Sequence, residues 1–113
     1  MPYDPGLAAR LEEMVNHKFA QEKGFSETRM MGGFGYLLNG NMCFGIHKNS
    51  LIIRVGTETA AKIIRPPNVR WMDLTGKVMK AWVMVEAEAL KEEDELEGYC
   101  QLAITFVKTL PKK

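Results

Sequence analysis

Three short apolar runs joined by two tight turns fill residues 29–56 and constrain the fold more than any other stretch. The first turn is Asn39-Gly40, a dipeptide in which both residues tolerate the positive φ of a two-residue hairpin. The second turn is Lys48-Asn49, and the run that follows it, Leu51 to Val55, alternates between two faces as a strand does. This pattern predicts a three-stranded antiparallel meander.

A glycine cluster, Gly32-Gly33-Phe34-Gly35, interrupts the first of these strands. It does not match the dinucleotide-binding fingerprint, because Leu38 stands where the third glycine should be and a strand follows instead of a helix. The lysine and hydroxyl of a phosphate-binding loop are also missing. We interpret the cluster as a bend in the first strand, since glycines inside a strand typically mark a bulge or a close backbone approach.

Helical signals flank the meander. Asp4-Pro5 is a typical helix start, and the apolar spacing that follows predicts a helix ending near Lys23-Gly24. A short helix with Thr57 as its N-cap follows the meander, two further extended segments come next, and an acidic run from Glu92 opens a final helix. The predicted order is α-β-β-β-α-β-β-α, a two-layer α+β fold whose helices pack on one face of an antiparallel sheet. We predict a single domain over residues 1–113.

Composition excludes several classes of protein. A hydrophobic content of 46% and a charged content of 26% are typical of a folded globular chain. No apolar run approaches the roughly 20 residues of a membrane-spanning helix, and the N-terminus lacks the features of a secretory signal. We therefore expect a cytoplasmic protein with no membrane association, in which Cys43 and Cys100 are reduced and buried.

The charge distribution leaves two interpretations open. Net charge is only +1, so nothing draws the whole molecule toward nucleic acid. Residues 54–80 nevertheless hold six basic residues against Glu58 and Asp73, and aromatic residues stand beside two of them, in Arg70-Trp71 and Lys80-Ala81-Trp82. This segment is either an ordinary solvated surface or a basic interaction surface; the basic residues are Arg54, Lys62, Arg65, Arg70, Lys77 and Lys80.

The sequence contains no recognisable catalytic or metal-binding pattern. No serine lies in a G-x-S-x-G elbow, and His47 follows Cys43 on one strand at a separation of about 13 Å, too far for a catalytic pair. Neither His17 nor His47 has ligand-like spacing to a cysteine. We expect no enzymatic activity, cofactor or metal.

The chain resembles the TfoX/Sxy N-terminal domain family. The resemblance is carried, in order, by MPYDPGLAARLEE, RMMGGFGYLLNGNMCFGI, LIIRVG, VRWMDLTGKVMKAWVMV and FVKTLPKK, and it covers nearly the whole chain. Met31 stands where the family usually has phenylalanine, and Val78 stands where proline is common. We expect structural roles for the signature residues, which are Met31, Gly32, Gly33, Asn39, Gly40 and Gly56.

The resemblance implies a two-layer α+β fold and kinship with bacterial regulators of natural transformation competence, which act with a cyclic-AMP-responsive activator. Those regulators carry a second, helical domain. This chain ends at Lys113 after its last predicted helix, so we expect a stand-alone member of the family.

Three functional hypotheses follow. The first is a non-enzymatic regulatory module that binds a protein, with the transcription machinery as one partner class, through Arg54, Lys80 and Trp82. The second is direct DNA binding through residues 54–80. The third is a small-molecule sensor or enzyme with a pocket between the first helix and the sheet. A free edge strand also makes a homodimer plausible.

Overall fold

The computed structural model describes residues 3–30, 33–73 and 76–113, with the backbone alone for Met30. These residues contain three α-helices and six strands, besides a π-helical and a 3-10 turn. The helices are α1 Pro5–Glu13, α2 Thr57–Ile63 and α3 Glu93–Val107; the strands are β1 Phe25–Met30, β2 Gly33–Leu38, β3 Asn41–His47, β4 Ser50–Arg54, β5 Val69–Met72 and β6 Met79–Glu86.

The strands form a single antiparallel sheet in the order β1-β2-β3-β4-β6-β5. The last strand of the chain, β6, pairs with β4, so β5 is left at the sheet edge. The predicted α+β class and antiparallel sheet are confirmed.

The structure contains one strand more than the predicted order. The run that we interpreted as one bent strand is two antiparallel strands, with Phe25 opposite Leu38 and Met30 opposite Gly33. Strand β1 ends at Met30, before the glycine cluster, and β2 begins at Gly33, inside it; each strand has six residues. The irregularity predicted at the glycines lies instead between Tyr36 and Leu37, in the pairing of β2 with β3.

Helix α1 begins as predicted and ends early. The carboxylate of Asp4 accepts a hydrogen bond of 2.9 Å from the backbone N–H of Gly6, and Pro5 is the first helical residue. A π-helical turn, Met14–Lys18, continues the helix and ends at the buried Phe19. The predicted end at Lys23-Gly24 is five residues too late.

Helices α2 and α3 start at caps of different chemistry. The N-cap of α2 is Gly56, one residue before the predicted Thr57. At α3 the side chain of Glu92 accepts from the backbone N–H of Glu95, while the Glu95 side chain accepts from the Glu92 N–H at 2.9 Å. This reciprocal pair satisfies donors that a helix start otherwise leaves without partners.

The main core lies between the helices and one face of the sheet. Helices α1 and α3 contribute residues such as Leu11 and Ile104, and α2 contributes Ala60. From the sheet, Leu51 and Ile53 on β4 face the same side as Val85 and Val83, their partners on β6. The helices of the described chain therefore cover one face of the sheet.

Candidate interaction surface

A second apolar cluster lies on the opposite face of the sheet, which we call the helix-free face. Ile52 pairs with Met84 and Arg54 pairs with Trp82, so these side chains point away from the main core. Among the described residues, no helical side chain belongs to this cluster. The methionine cluster, as we call it, consists of buried Ile52, Met72, Trp82 and Met84 and half-buried Met42, Met79 and Ala81.

Arg54 covers part of the methionine cluster. Its guanidinium carbon lies 5.9 Å from the centre of the Trp82 ring, within the range of a cation–π contact. The same guanidinium donates a 3.4 Å hydrogen bond to the backbone carbonyl of Met42. Arg54 thus spans β3, β4 and β6 on this face and remains half-exposed.

The structure brings the three predicted contact residues to one region, but in different roles. Trp82 is only 6% exposed and is packed under Arg54, so its ring supports the surface instead of forming it. Lys80 is exposed and lies on β6 between Met79 and Ala81, both of which pack against the methionine cluster. The predicted surface therefore consists of Arg54 and Lys80, with Trp82 beneath.

The basic residues of the 54–80 segment do not form one stripe. Lys62 pairs with Glu58 on α2 at 3.9 Å, and Arg70 pairs with Glu86 at 2.6 Å. Burial raises the pKa of Tyr99 on α3, and the positive charge of Arg65 lowers it in part. These cations lie on both sides of the sheet, and Arg70 is held by the carboxylate of Glu86.

A polar cavity of about 400 Å³ opens beside the methionine cluster. At its wall, Glu86 Oε2 accepts hydrogen bonds from the Ser50 hydroxyl at 2.9 Å and from Arg70 at 2.6 Å. Ser50 is only 3% exposed, so this network satisfies a buried polar group. The lining residues are His47, Lys48, Asn49, Ser50, Arg70, Asp73, Met84 and Glu86.

This cavity differs in place from the pocket predicted between the first helix and the sheet. A smaller cavity of about 260 Å³ does lie beside α1, lined by residues that include Ala8, Glu12 and Phe34. Sequence reasoning missed the larger one because Ser50, Arg70 and Glu86 come from three separate strands and form no local motif. The only signal in the sequence was three polar residues in otherwise apolar strands.

Both thiols are buried, as predicted. Cys43 and Cys100 belong to the main core, and neither forms a disulfide. Burial raises the pKa of each thiol, and Cys43 adds to the rise in the pKa of Cys100. A thiol in this state stays protonated at neutral pH and is a poor nucleophile.

Comparison with known families identifies the domain. The family model for the TfoX N-terminal domain matches residues 17–107 of the 113-residue chain. The chain belongs to the TfoX N-terminal domain family. Comparisons with curated proteins and with solved structures found no match.

The signature residues of this TfoX N-terminal domain that the structure describes occupy demanding backbone positions. Asn39 and Gly40 have φ of 55° and 85°, as a hairpin turn requires. Gly33 lies against the backbone of β3, where a Cβ atom would overlap the carbonyl oxygen of Ile46. Gly56 has φ of 84°, and a Cβ there would come within 2.7 Å of the Phe106 ring. Met31 and Gly32 lie outside the described residues.

The hairpin turn at Asn39-Gly40 contacts the segment that follows α3 in the TfoX N-terminal domain. The Asn41 side chain, only 3% exposed, donates a 2.9 Å hydrogen bond to the carbonyl of Pro111. The backbone N–H of Lys113 donates to the carbonyl of Asn39 at 2.9 Å. The hairpin turn therefore supports the segment that follows α3.

No helix in the described part of the chain combines the length and apolar character needed to cross a bilayer.

Proposed function

We propose that this TfoX N-terminal domain is a non-enzymatic regulatory module of the cytoplasm, related in action to the competence regulators. It binds an acidic, partly apolar segment of a protein partner, such as a component of the transcription machinery. The binding surface is the helix-free face. The observation that carries the proposal is the position of two cations: Arg54 lies over Trp82 of the methionine cluster, and Lys80 lies in the chain between Met79 and Ala81 of that cluster.

The chemistry of this face suits a protein partner. Methionine side chains are flexible and polarizable, so a surface that contains them adapts to apolar side chains of differing shape. Met42, Met79 and Ala81 are half-exposed at the edge of the cluster. Arg54 and Lys80 add positive charge at that edge, which favours acidic residues in the segment that binds.

A protein partner fits this surface better than DNA does. A DNA-binding surface needs several phosphate contacts, and each adds to the salt dependence of affinity. Here Arg70 is paired with Glu86, and Lys62 lies on α2, on the opposite side of the sheet, so the cations do not gather on one face. The Trp82 ring, being 6% exposed, offers no open face on which a base could stack.

The non-enzymatic part of the proposal is supported by the state of the thiols. Cys43 and Cys100 are the strongest nucleophiles of the chain by residue type, and burial raises the pKa of both. Protonated, enclosed thiols favour a packing role over a catalytic one.

Charge reversal at Lys80 tests the proposal. Lys80→Glu should weaken partner binding about tenfold or more, because like charges would then face each other in the complex. The melting temperature should stay unchanged, since Lys80 is exposed. The measurement is affinity capture from the native cytoplasm, followed by titration of a synthetic acidic segment taken from the captured protein.

Lys91→Glu is the matched control, because Lys91 is exposed, follows Leu90 of the main core and gives the same change in net charge. The proposal requires that capture be lost with Lys80→Glu and kept with Lys91→Glu. Equal capture by both variants would contradict it. Capture that disappears on nuclease treatment would assign the face to nucleic acid.

A further inference from the structure

Strand β1 is a free edge of the sheet. It stands at the end of the strand order and pairs only with β2 among the described residues. Ser26, Glu27 and Arg29 on this strand are exposed. An edge strand of this length offers a row of backbone donors and acceptors on which a further strand can pair.

The edge carries one charge of each sign at symmetric positions. Glu27 and Arg29 lie on either side of Thr28. They pair with Tyr36 and Phe34 of β2, whose side chains face the helices, so both charged side chains lie on the helix-covered side of the sheet. Neither forms an ion pair within the described chain. A cavity of about 270 Å³ beside them leaves room for the side chains of another strand.

Only one symmetric register of this edge pairs opposite charges. Two copies of a strand can pair antiparallel about a two-fold axis perpendicular to the sheet. The residue on the axis then lies opposite the same residue of the other copy, and the residue before it lies opposite the residue after it. An axis at Glu27 places two glutamates opposite each other, and an axis at Arg29 does the same with two arginines. An axis at Thr28 places Glu27 opposite Arg29 of the other copy, twice.

We infer that this chain forms a homodimer in which β1 of each copy pairs antiparallel with β1 of the other, about a two-fold axis at Thr28. The partner that fits the edge is thus a second copy of the chain. The two sheets become one continuous sheet, with two Glu27–Arg29 ion pairs beside the axis. Because these pairs are exposed, salt weakens the dimer.

A charge swap tests the register. Glu27→Arg alone, and Arg29→Glu alone, should each weaken dimerisation about tenfold or more, since each converts two attractive cross-strand pairs into repulsive ones. The double variant Glu27→Arg with Arg29→Glu should restore it. The measurement is sedimentation velocity from about 10 µM to about 1 mM protein, a range that reaches weak association.

The pair Glu58 and Lys62 on α2 is the matched control. Both are exposed, and they carry the same two signs four residues apart, far from β1 in the sequence. Glu58→Arg and Lys62→Glu, alone and together, should leave the monomer–dimer distribution unchanged. All the variants lie on the surface, so thermal melting should confirm that each is folded.

A cysteine at the axis gives a second, independent readout. Thr28→Cys should form an intermolecular disulfide on mild oxidation, because residues opposite each other on an axis have Cβ atoms about 5 Å apart. Ser26→Cys should not, since its two copies would stand about 13 Å apart. The native thiols are buried and do not compete.

The charge-swap and cross-linking results test the dimer and its register separately. Dimerisation that follows the charge swap, together with cross-linking at Thr28→Cys alone, supports the inference. A wild-type chain that stays monomeric at about 1 mM overturns it and leaves the edge to a strand of another protein. A dimer that ignores the charge swap, or that cross-links through Ser26→Cys, overturns the register.

Discussion

At the scale of single residues, Arg54 and Trp82 determine the character of the helix-free face. The guanidinium lies over the ring, and the ring fills the methionine cluster beneath it. A residue that sequence reasoning treated as a contact therefore acts as a support. In the proposed binding surface, Arg54 above the ring and Lys80 are the residues that contact the partner.

Removing the indole should destabilise the fold strongly. Trp82→Ala is expected to lower the free energy of unfolding by about 3 kcal/mol or more, because a large side chain that is 6% exposed leaves a cavity when it is truncated. Urea denaturation measures the effect.

The exposed Lys80 provides the comparison for Trp82. Lys80→Ala should change the free energy of unfolding by less than about 0.5 kcal/mol, as surface substitutions usually do. Equal, small effects of Trp82→Ala and Lys80→Ala would mean that the ring is not packed in the methionine cluster.

At the scale of elements, the joint between β4 and α2 depends on one glycine. Gly56 has φ of 84° and ψ of 157°, a conformation almost restricted to glycine, and it packs against the Phe106 ring of α3. Its N–H and that of Val55 both donate to the carbonyl of Ala81 on β6 at 3.0 Å. The joint thus links β4, β6, α2 and α3 in one place.

Gly56→Ala should lower the free energy of unfolding by about 2–4 kcal/mol, which combines backbone strain with the contact against Phe106. Gly76→Ala separates the two causes, because Gly76 has φ of 81° but no neighbouring atom lies within 4 Å of the position that a Cβ would take there. The Gly76 variant should lose less stability, because its positive φ is not combined with a side-chain contact. Equal losses for both variants in chemical denaturation would show that Phe106 contributes nothing.

At the scale of the whole molecule, the two buried thiols couple stability to alkaline pH. Burial raises the pKa of Cys43 and Cys100, so the folded chain keeps both protons while the unfolded chain releases them above about pH 8.5. Their contribution to stability is complete below that pH and decreases as the pH rises above it. Burial also raises the pKa of Tyr36 to about 12, which extends the loss to higher pH.

Above about pH 8.5 the free energy of unfolding should therefore fall as the pH rises, with a slope that approaches about 1.4 kcal/mol per pH unit for each thiol near pH 10. Urea denaturation in the presence of a reductant, repeated across this range, measures the slope. The double variant Cys43→Ala with Cys100→Ala should show a flatter dependence, even though it starts from a lower stability. A slope identical to that of the wild-type chain would contradict the prediction.

The sequence by itself determined the features that depend on neighbouring residues. The cap at Asp4, the turn at Asn39-Gly40 and the alternation of β4 follow from local sterics, backbone conformation and periodicity, and the structure contains all three. The α+β class and the family could also be predicted, because they rest on the order of such local signals along the chain.

Only the tertiary structure decided which distant residues meet. The pairing of β6 with β4, the burial of Trp82 and the network of Ser50, Arg70 and Glu86 join segments that local patterns do not relate. Burial depends on what covers a side chain, and strand order depends on the competition between long-range pairings. Neither the burial of a side chain nor the order of the strands can be read from the residues adjacent to it in the sequence.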